Sequence, residues 1–429
     1  MIERNDYLKK LIGKQWNGLV KIVTGIRRCG KSVLLFDLFY NYLLDSGVSK
    51  ENIIRIKLDE RTDIRFRNPN TICDYVRDFV GNKQSEKFYI FIDEVQLIEK
   101  IKVDGIEAEI GLYEVLNELN GYDNLDVYVT GSNSKMLSSD IATEFRGRGD
   151  EIRVHPLSFA EFYNNFDGDK RDAWEVYSTF GGMPFLTSLH SDEEKSNYLK
   201  KLLDKVYITD IIERNSLRKN TLVLGELLDI ISSSVGSLTS PAKLANTFNT
   251  VAKESITPNT LSHYLEYFID AFLLSKARRY DIYGKAYIDS PSKYYFEDIG
   301  LRNARLGFKE RDVTHIMESI IYNEMILRGF NVDVGILEHY YKDANGKSQR
   351  TNLEVDFVCN KGSQRYYIQS AYAIPDNEKR EQETRGFLKI YDSFQKIVVM
   401  RDNIIPYHDE KGVFYIGVEK FLLDKDITK

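Results

Sequence analysis

Gly25-Ile26-Arg27-Arg28-Cys29-Gly30-Lys31-Ser32 decides how the first third of this chain is read. Two glycines separated by four residues lead into Lys-Ser, the pattern of a phosphate-binding loop. Gly25 and Gly30 let the backbone turn tightly and aim successive N–H groups inward, a nest for phosphate oxygens. Lys31 brings a point charge to the outer phosphates, and Ser32 offers a hydroxyl to a magnesium ion. The flanks agree. Leu19-Val20-Lys21-Ile22-Val23-Thr24 reads as a buried strand entering the loop, and Val33, Leu34, Leu35, Leu38, Phe39, Tyr42 and Leu43 recur at helical spacing after it. A helix starting there turns its positive dipole end toward the phosphates. The expected nucleotide-contacting set is Gly25, Ile26, Arg27, Arg28, Cys29, Gly30, Lys31, Ser32 and Val33.

Working outward, Phe88-Tyr89-Ile90-Phe91-Ile92-Asp93-Glu94-Val95 reads as a central parallel strand ending in two carboxylates at the ligand crevice. With Ser32, Asp93 is the expected magnesium holder. Glu94 is placed to orient and polarise an attacking water, which a hydrolase needs and a mere binder does not. A further strand, Leu125–Thr130, runs into Gly131-Ser132-Asn133-Ser134. Ser132 and Asn133 are both candidates to touch the γ-phosphate or the water, and a turn capping the next helix competes for each. In Glu144-Phe145-Arg146-Gly147-Arg148-Gly149-Asp150, Arg148 is a candidate finger for the phosphates of its own or a neighbouring subunit. A surface salt bridge is the competing account. Arg27 and Arg28 read as outward-facing or carboxylate-paired.

Composition narrows the class. At 429 residues the chain exceeds one ordinary core, so two or three domains are expected. With 42% hydrophobic and 29% charged residues it reads as globular. No apolar run reaches membrane-spanning length and the start lacks a signal peptide's apolar segment, so a cytoplasmic location without membrane partners is expected. Three scattered cysteines (Cys29, Cys73, Cys359) argue for free thiols and against a zinc framework; Cys29 reads as a small filler of the loop. A net charge of −6 gives no global basic field for nucleic acid. The six histidines form no ligand pair.

GIRRCGKS, FIDEVQ, VYVTGSNS, the Gly147-Arg148 pair, His155–Phe162 and Gly181-Gly182-Met183-Pro184 together resemble the prokaryotic AAA-type ATPases of the MNS group. In those proteins an uncharacterised C-terminal domain follows the ATPase. The resemblance implies an AAA-like fold and ATP as the nucleotide. Gly30, Lys31 and Ser32 would then bind phosphate and magnesium, with Asp93 and Glu94 as the second motif and Ser132 or Asn133 in the sensor position.

The resulting expectation is an α/β protein in three parts: a P-loop ATPase domain with a parallel sheet (1–165), a helical and winged-helix region (166–300), and a degenerate nuclease-like α/β domain (301–429). Ser240-Pro241 and Thr257-Pro258 read as capped helix starts, followed by a hairpin, Leu273–Tyr280 and Ala286–Phe296. That hairpin carries Lys276, Arg278, Arg279 and Lys285. Its helices carry few cations, so protein packing competes with DNA binding as the module's role. In the last part, Glu318, Glu324 and Asp356 follow the order of a restriction-endonuclease-like core. Gln369 and Ala371 replace its remaining carboxylate and lysine, and strong nuclease activity is not expected. The reading is therefore magnesium-dependent ATP hydrolysis driving a switch or motor on a protein or nucleic-acid partner, in a monomer or homo-oligomer. The alternative is a nucleotide-gated scaffold or DNA-processing factor with little turnover.

Overall fold

Five short segments rich in Val, Ile, Phe and Tyr build the sheet of the first unit: β1 (Val20–Thr24), β2 (Ile53–Lys57), β3 (Phe88–Asp93), β4 (Leu125–Thr130) and β5 (Gly149–Arg153). The computed structural model describes residues 2–81, 83, 85–102, 107–132, 147–217, 221–251, 256–309, 312–342 and 346–428. It divides into one unit of Met1–Pro156 with Asp270–Phe272 and a second of Leu157–Ile269 with Leu273–Lys429.

In the first unit every neighbouring pair of strands is parallel, in the order β2-β3-β4-β1-β5. This is the P-loop nucleoside-triphosphatase sheet that the loop's sequence predicts. β1, β3 and β4 are buried at every position, as strands covered on both faces must be. Ile72, Val76 and Val80 of helix Pro69–Val80 and Val115, Leu116 and Leu119 of helix Leu112–Leu119 share a core with Ile90, Ile92, Val127 and Val129. Phe36 and Phe39, from the helix after the phosphate loop, pack on Phe91, and Phe39 also meets Tyr128. That helix begins as α (Lys31–Val33), widens to π geometry over Leu34–Phe39 and returns to α (Tyr40–Asp45). The wide turn brings Phe36 inward beside Leu34, Leu35 and Phe39, a residue outside the 3.6-residue apolar pattern. Between β1 and β4 the Lys21 ammonium pairs with the buried Asp126 carboxylate; burial pulls the Lys21 pKa down while Asp126 resists.

The second unit opens with helices. Ser240 and Thr257 cap two of them as the sequence predicts: Lys243 N donates to Ser240 Oγ at 3.1 Å and Thr260 N to Thr257 Oγ1 at 3.2 Å. Pro241 and Pro258 start helices Pro241–Val251 and Pro258–Asp270. The hairpin β6 (Leu274–Asp281) and β7 (Ala286–Phe296) follows. Next come β8 (Asn331–Lys342), β9 (Ser348–Lys361), β10 (Gln364–Ala371), β11 (Gln395–Met400), β12 (Tyr407–His408) and β13 (Phe414–Gly417). They form one eight-stranded mixed sheet, β12-β13-β11-β10-β9-β8-β6-β7. The hairpin joins it only through its tip, Arg279–Asp281 pairing parallel with Val334–Ile336. Helix Val313–Leu327 buries Ile316, Met317, Ile320, Ile321 and Met325.

Asp298 ties the Gly181-Gly182 turn to helix Ile299–Arg305. Its carboxylate accepts from Gly182 N at 2.6 Å and Leu301 N at 3.2 Å. A Cβ on Gly181, whose φ is +77°, would stand 2.2 Å from Asp298 Oδ1, so only glycine fits there. Burial pushes the Asp298 pKa up to about 7, against the pull of the backbone donors at Gly182, Leu301 and Gly300. An unfolded Asp ionises near pH ~4. The folded chain therefore holds the extra proton between about pH 4 and about 7, and this group's contribution to stability falls as pH rises through that window. Urea unfolding should show stability declining across it by up to about a few kcal/mol. The slope should flatten in Asp298→Asn; an unchanged slope would show that Asp298 is ionised throughout.

Candidate nucleotide site

β4 lies between β1 and β3, so three strand ends meet at one edge of the sheet: the phosphate loop after Thr24, the acids at Asp93-Glu94 and the tip Thr130-Gly131-Ser132. Gly131 N donates to Val23 O at 3.1 Å, which closes the tip against β1.

The loop is built as its glycines require. Gly25 has φ +138°, and a Cβ on it would stand 2.1 Å from Val154 O. Gly30 is left-handed at φ +101°. Cys29 is buried, its thiol donating to Val154 O at 3.3 Å, so it fills space as expected. Lys31 is buried and its ammonium donates to Gly25 O at 3.0 Å and Ile26 O at 3.1 Å. Two of the three ammonium donors thus span the loop. Arg28 is exposed at φ +64°, and Val33 is 42% exposed. Arg27 Nε donates to Ser132 Oγ at 3.3 Å, tying the loop to the tip of β4.

The acids are held by a residue that sequence reading passes over. The Thr130 hydroxyl donates to Asp93 Oδ1 and accepts from Glu94 N at 3.1 Å, fixing both neighbours at once. Asp93 is buried. Burial raises its pKa, while hydrogen bonds from Thr130 and Ser32 lower it and the Glu94 charge raises it again. Ser32 and Asp93, the two expected metal holders, are therefore in contact. Both offer hard oxygens, so the set fits a magnesium ion carried with a phosphate. Glu94 sits in the left-handed region at φ 55°, ψ 50°, a conformation costing on the order of 1 kcal/mol for a non-glycine residue. Its carboxylate accepts from the Gln96 amide and, at 3.4 Å, from the Ser132 hydroxyl.

Ser132 is thus brought to the site. Asn133 lies outside the described residues. Arg148 is not brought to the phosphates of its own chain. Its carbonyl accepts from Val20 N at 3.0 Å, at the start of β1, and its guanidinium donates to Asn117 Oδ1 at 2.9 Å. β1 then runs five residues, about 16 Å at strand rise, before the loop begins. The stretch read as a finger leads into β5, whose parallel register with β1 sets Arg148 at the opposite end of the sheet. As a finger it could serve only a neighbouring subunit, and its exposed bond to Asn117 fits a surface pairing as well.

Residues far apart in sequence complete the site. Arg4 Nη1 donates to Cys29 O at 3.2 Å and Nη2 to His155 O at 2.8 Å, while the guanidinium lies 4.6 Å from the Tyr7 ring centre. His155 N donates to Tyr7 Oη at 3.2 Å. The N-terminal helix Asn5–Gly13 and the turn after β5 thereby brace the loop from behind.

Residues 17–163 match the family model described as an AAA domain, and residues 171–312 match a domain of unknown function, DUF8612. An uncharacterised protein of Haemophilus influenzae is 32% identical over 404 residues, covering 93% of each chain. This chain belongs to the same family, and its residues 17–163 are an AAA domain. An uncharacterised protein of Methanocaldococcus jannaschii is 29% identical, over 94% of this chain and 84% of its own. Among solved structures, a Walker-type ATPase of Pyrococcus abyssi is similar at a TM-score of 0.48 with 16% identity, covering 71% of this chain and 96% of that one.

In the second unit, Glu318 and Asp356 come together as the sequence order suggests. Glu324 does not join them; it pairs with Arg328 Nε at 2.7 Å. Gln369 stays beside Asp356, its Oε1 accepting from Asp356 N at 3.4 Å. Ala371 is buried and brings no charge. A lysine is nonetheless present: Lys293 of β7 pairs with Glu318 and with Glu354, a third carboxylate. Sequence reading missed both. Among the described residues no helix is long and apolar enough to cross a membrane.

Proposed function

We propose that this AAA-type ATPase binds magnesium ATP at the Gly25–Val33 loop and hydrolyses it, coupling turnover to a conformational change acting on a protein or nucleic-acid partner. The observation that carries the reading is the Thr130 hydroxyl, which holds Asp93 and the backbone of Glu94 between the phosphate loop and Ser132. A binder needs the loop and Asp93 alone; a carboxylate aimed separately by Thr130 and Gln96 is what activation of water requires. Lys31 meets the outer phosphates, and the loop's N–H groups and helix start neutralise them. A bound magnesium would add charge neutralisation on the phosphate oxygens, held through Ser32 and Asp93. Glu94 takes the water's proton as the oxygen attacks the γ-phosphorus, and the bond to the β,γ-bridging oxygen breaks, so that ADP leaves with that oxygen and phosphate is released.

The hydrogen bonds on Glu94 also supply the coupling. Gln96 and Ser132 hold its carboxylate, and Arg27 of the phosphate loop holds Ser132. A triphosphate that draws Arg27 or Lys31 toward itself changes what Glu94 and the β4 tip are bonded to. The helices and hairpin at 221–296 support a winged-helix module as the partner-facing part, and the exposed Lys276 and Arg278 support phosphate contact there. Within the α/β part, the helix and strand order around Glu318 and Asp356 supports a nuclease-like core.

Phosphate release from magnesium ATP by the purified chain tests the central reading. Turnover on the order of 0.01–10 per second is expected, faster if the physiological partner is added. ATP that binds and is never cleaved would leave a nucleotide-gated scaffold in its place.

A further inference from the structure

In the second unit an ammonium stands where three carboxylates converge. Lys293 Nζ lies 2.9 Å from Glu318 Oε1, 2.8 Å from Glu354 Oε1 and 3.8 Å from Asp356 Oδ1. The partners come from two parts of the fold. Glu318 is on helix Val313–Leu327, while Glu354 and Asp356 are two apart on β9 and so share a face. Lys293 is on β7, opposite Ala277 of β6, next to the point where the hairpin's register shifts. Tyr295, two residues on, donates to Glu318 Oε1 at 2.6 Å and stacks on Tyr322, ring centres 4.2 Å apart. The other Asp356 oxygen accepts from Ser370 N at 2.8 Å. Lys293, Glu318 and Asp356 are all buried.

We propose that Lys293 is the built-in cation of a divalent-metal site, its ammonium holding the place between Glu318, Glu354 and Asp356 that a magnesium or manganese ion would otherwise take.

Charge, chemistry and space support this. Two buried carboxylates, Glu318 and Asp356, with the half-buried Glu354 beside them, are tolerable only around a cation. One ammonium meets three carboxylates there. A dication would balance the same set more fully. All the donors are carboxylate oxygens, the hard type that magnesium and manganese select. Yet the N–O distances of 2.8–2.9 Å hold the oxygens around an ammonium, wider than the roughly 2.0–2.1 Å a magnesium ion demands. Accordingly, among the described residues no three acidic, histidine or cysteine groups are placed to bind a metal as they stand.

The consequence is a carboxylate set kept metal-free by the chain itself, which is why the second unit should show no metal-dependent chemistry of its own. Removing the ammonium should turn the cluster into a metal site. The test compares nucleotide-free full-length wild type, Lys293→Met and Lys293→Met/Asp356→Asn, titrated with manganese by electron paramagnetic resonance and by thermal melting. Lys293→Met should bind one manganese ion at least tenfold more tightly than wild type and melt several degrees higher with manganese than without. The added Asp356→Asn should abolish both gains. Lys293→Gln, which keeps donors on the carboxylates, carries the same comparison if the Met variant is insoluble. Wild-type binding that depends on Asp356 would overturn the proposal. So would folded Lys293 variants that ignore manganese, or insolubility of both variants that manganese does not relieve.

Discussion

Glu94→Gln is expected to lower ATP turnover by about 10²–10⁴-fold, the range for losing a positioned general base, with nucleotide affinity nearly unchanged. The two side chains have the same shape, and the amide oxygen of Gln can still accept from Gln96 and Ser132 as the carboxylate does. What disappears is the capacity to take a proton. The strained backbone at Glu94 and the Thr130 bond to its N–H belong to the main chain, so the substitution leaves them in place. A fall in kcat without a matching loss of affinity marks an interaction made only in the transition state. Phosphate release and a fluorescent-nucleotide titration on the same preparation check it. Turnover within a few-fold of wild type would remove Glu94 from the chemistry. A parallel loss of affinity and stability would make it a structural residue. The variant also separates two outputs: a motor stops working on its partner, whereas a nucleotide-gated scaffold keeps its bound state or prolongs it.

How far this site is readable before folding depends on where its parts lie along the chain. Gly25–Ser32 and Phe88–Glu94 are legible because each is local: glycines needed by one turn, an apolar run needed by one buried strand, and charges at its end. Thr130 is hidden by its own propensity, since a threonine ending a strand reads as β-branched filler. Only the placement of β4 between β1 and β3 makes it the hydroxyl that holds both acids. Arg4 is invisible for another reason: it reaches Cys29 across 25 residues and His155 across 151. Arg148 misleads through proximity in sequence. It follows the β4 tip closely, but the chain returns to the far edge before entering β5. Lys293 is not among the hairpin cations that the sequence picks out, and only the fold brings it to Glu318 and Glu354. In each miss the deciding contact is long-range, and the residue type alone is commonplace.

Lys31→Ala carries the second large effect, on binding before chemistry. Its ammonium is buried and already spans the loop through Gly25 O and Ile26 O, so it needs little rearrangement to meet a phosphate. Removing one partner of a desolvated charge pair costs about 2–5 kcal/mol, which is about 30- to several-thousand-fold in Kd at about 1.4 kcal/mol per tenfold. The same substitution removes two hydrogen bonds within the loop, worth on the order of 1–3 kcal/mol of stability for a charged donor. Measuring both quantities tells the two roles apart. If Lys31 serves phosphate, affinity for magnesium ATP collapses while urea unfolding shifts only modestly. Adenosine, which lacks phosphates, should bind wild type and variant alike. If Lys31 merely braces the loop, stability should fall as far as affinity does, and Lys31→Gln, which restores a donor to those carbonyls, should recover most of both. A full-strength triphosphate complex in the well-folded Ala variant would contradict the whole assignment of the loop, because none of its other described side chains buries a positive charge.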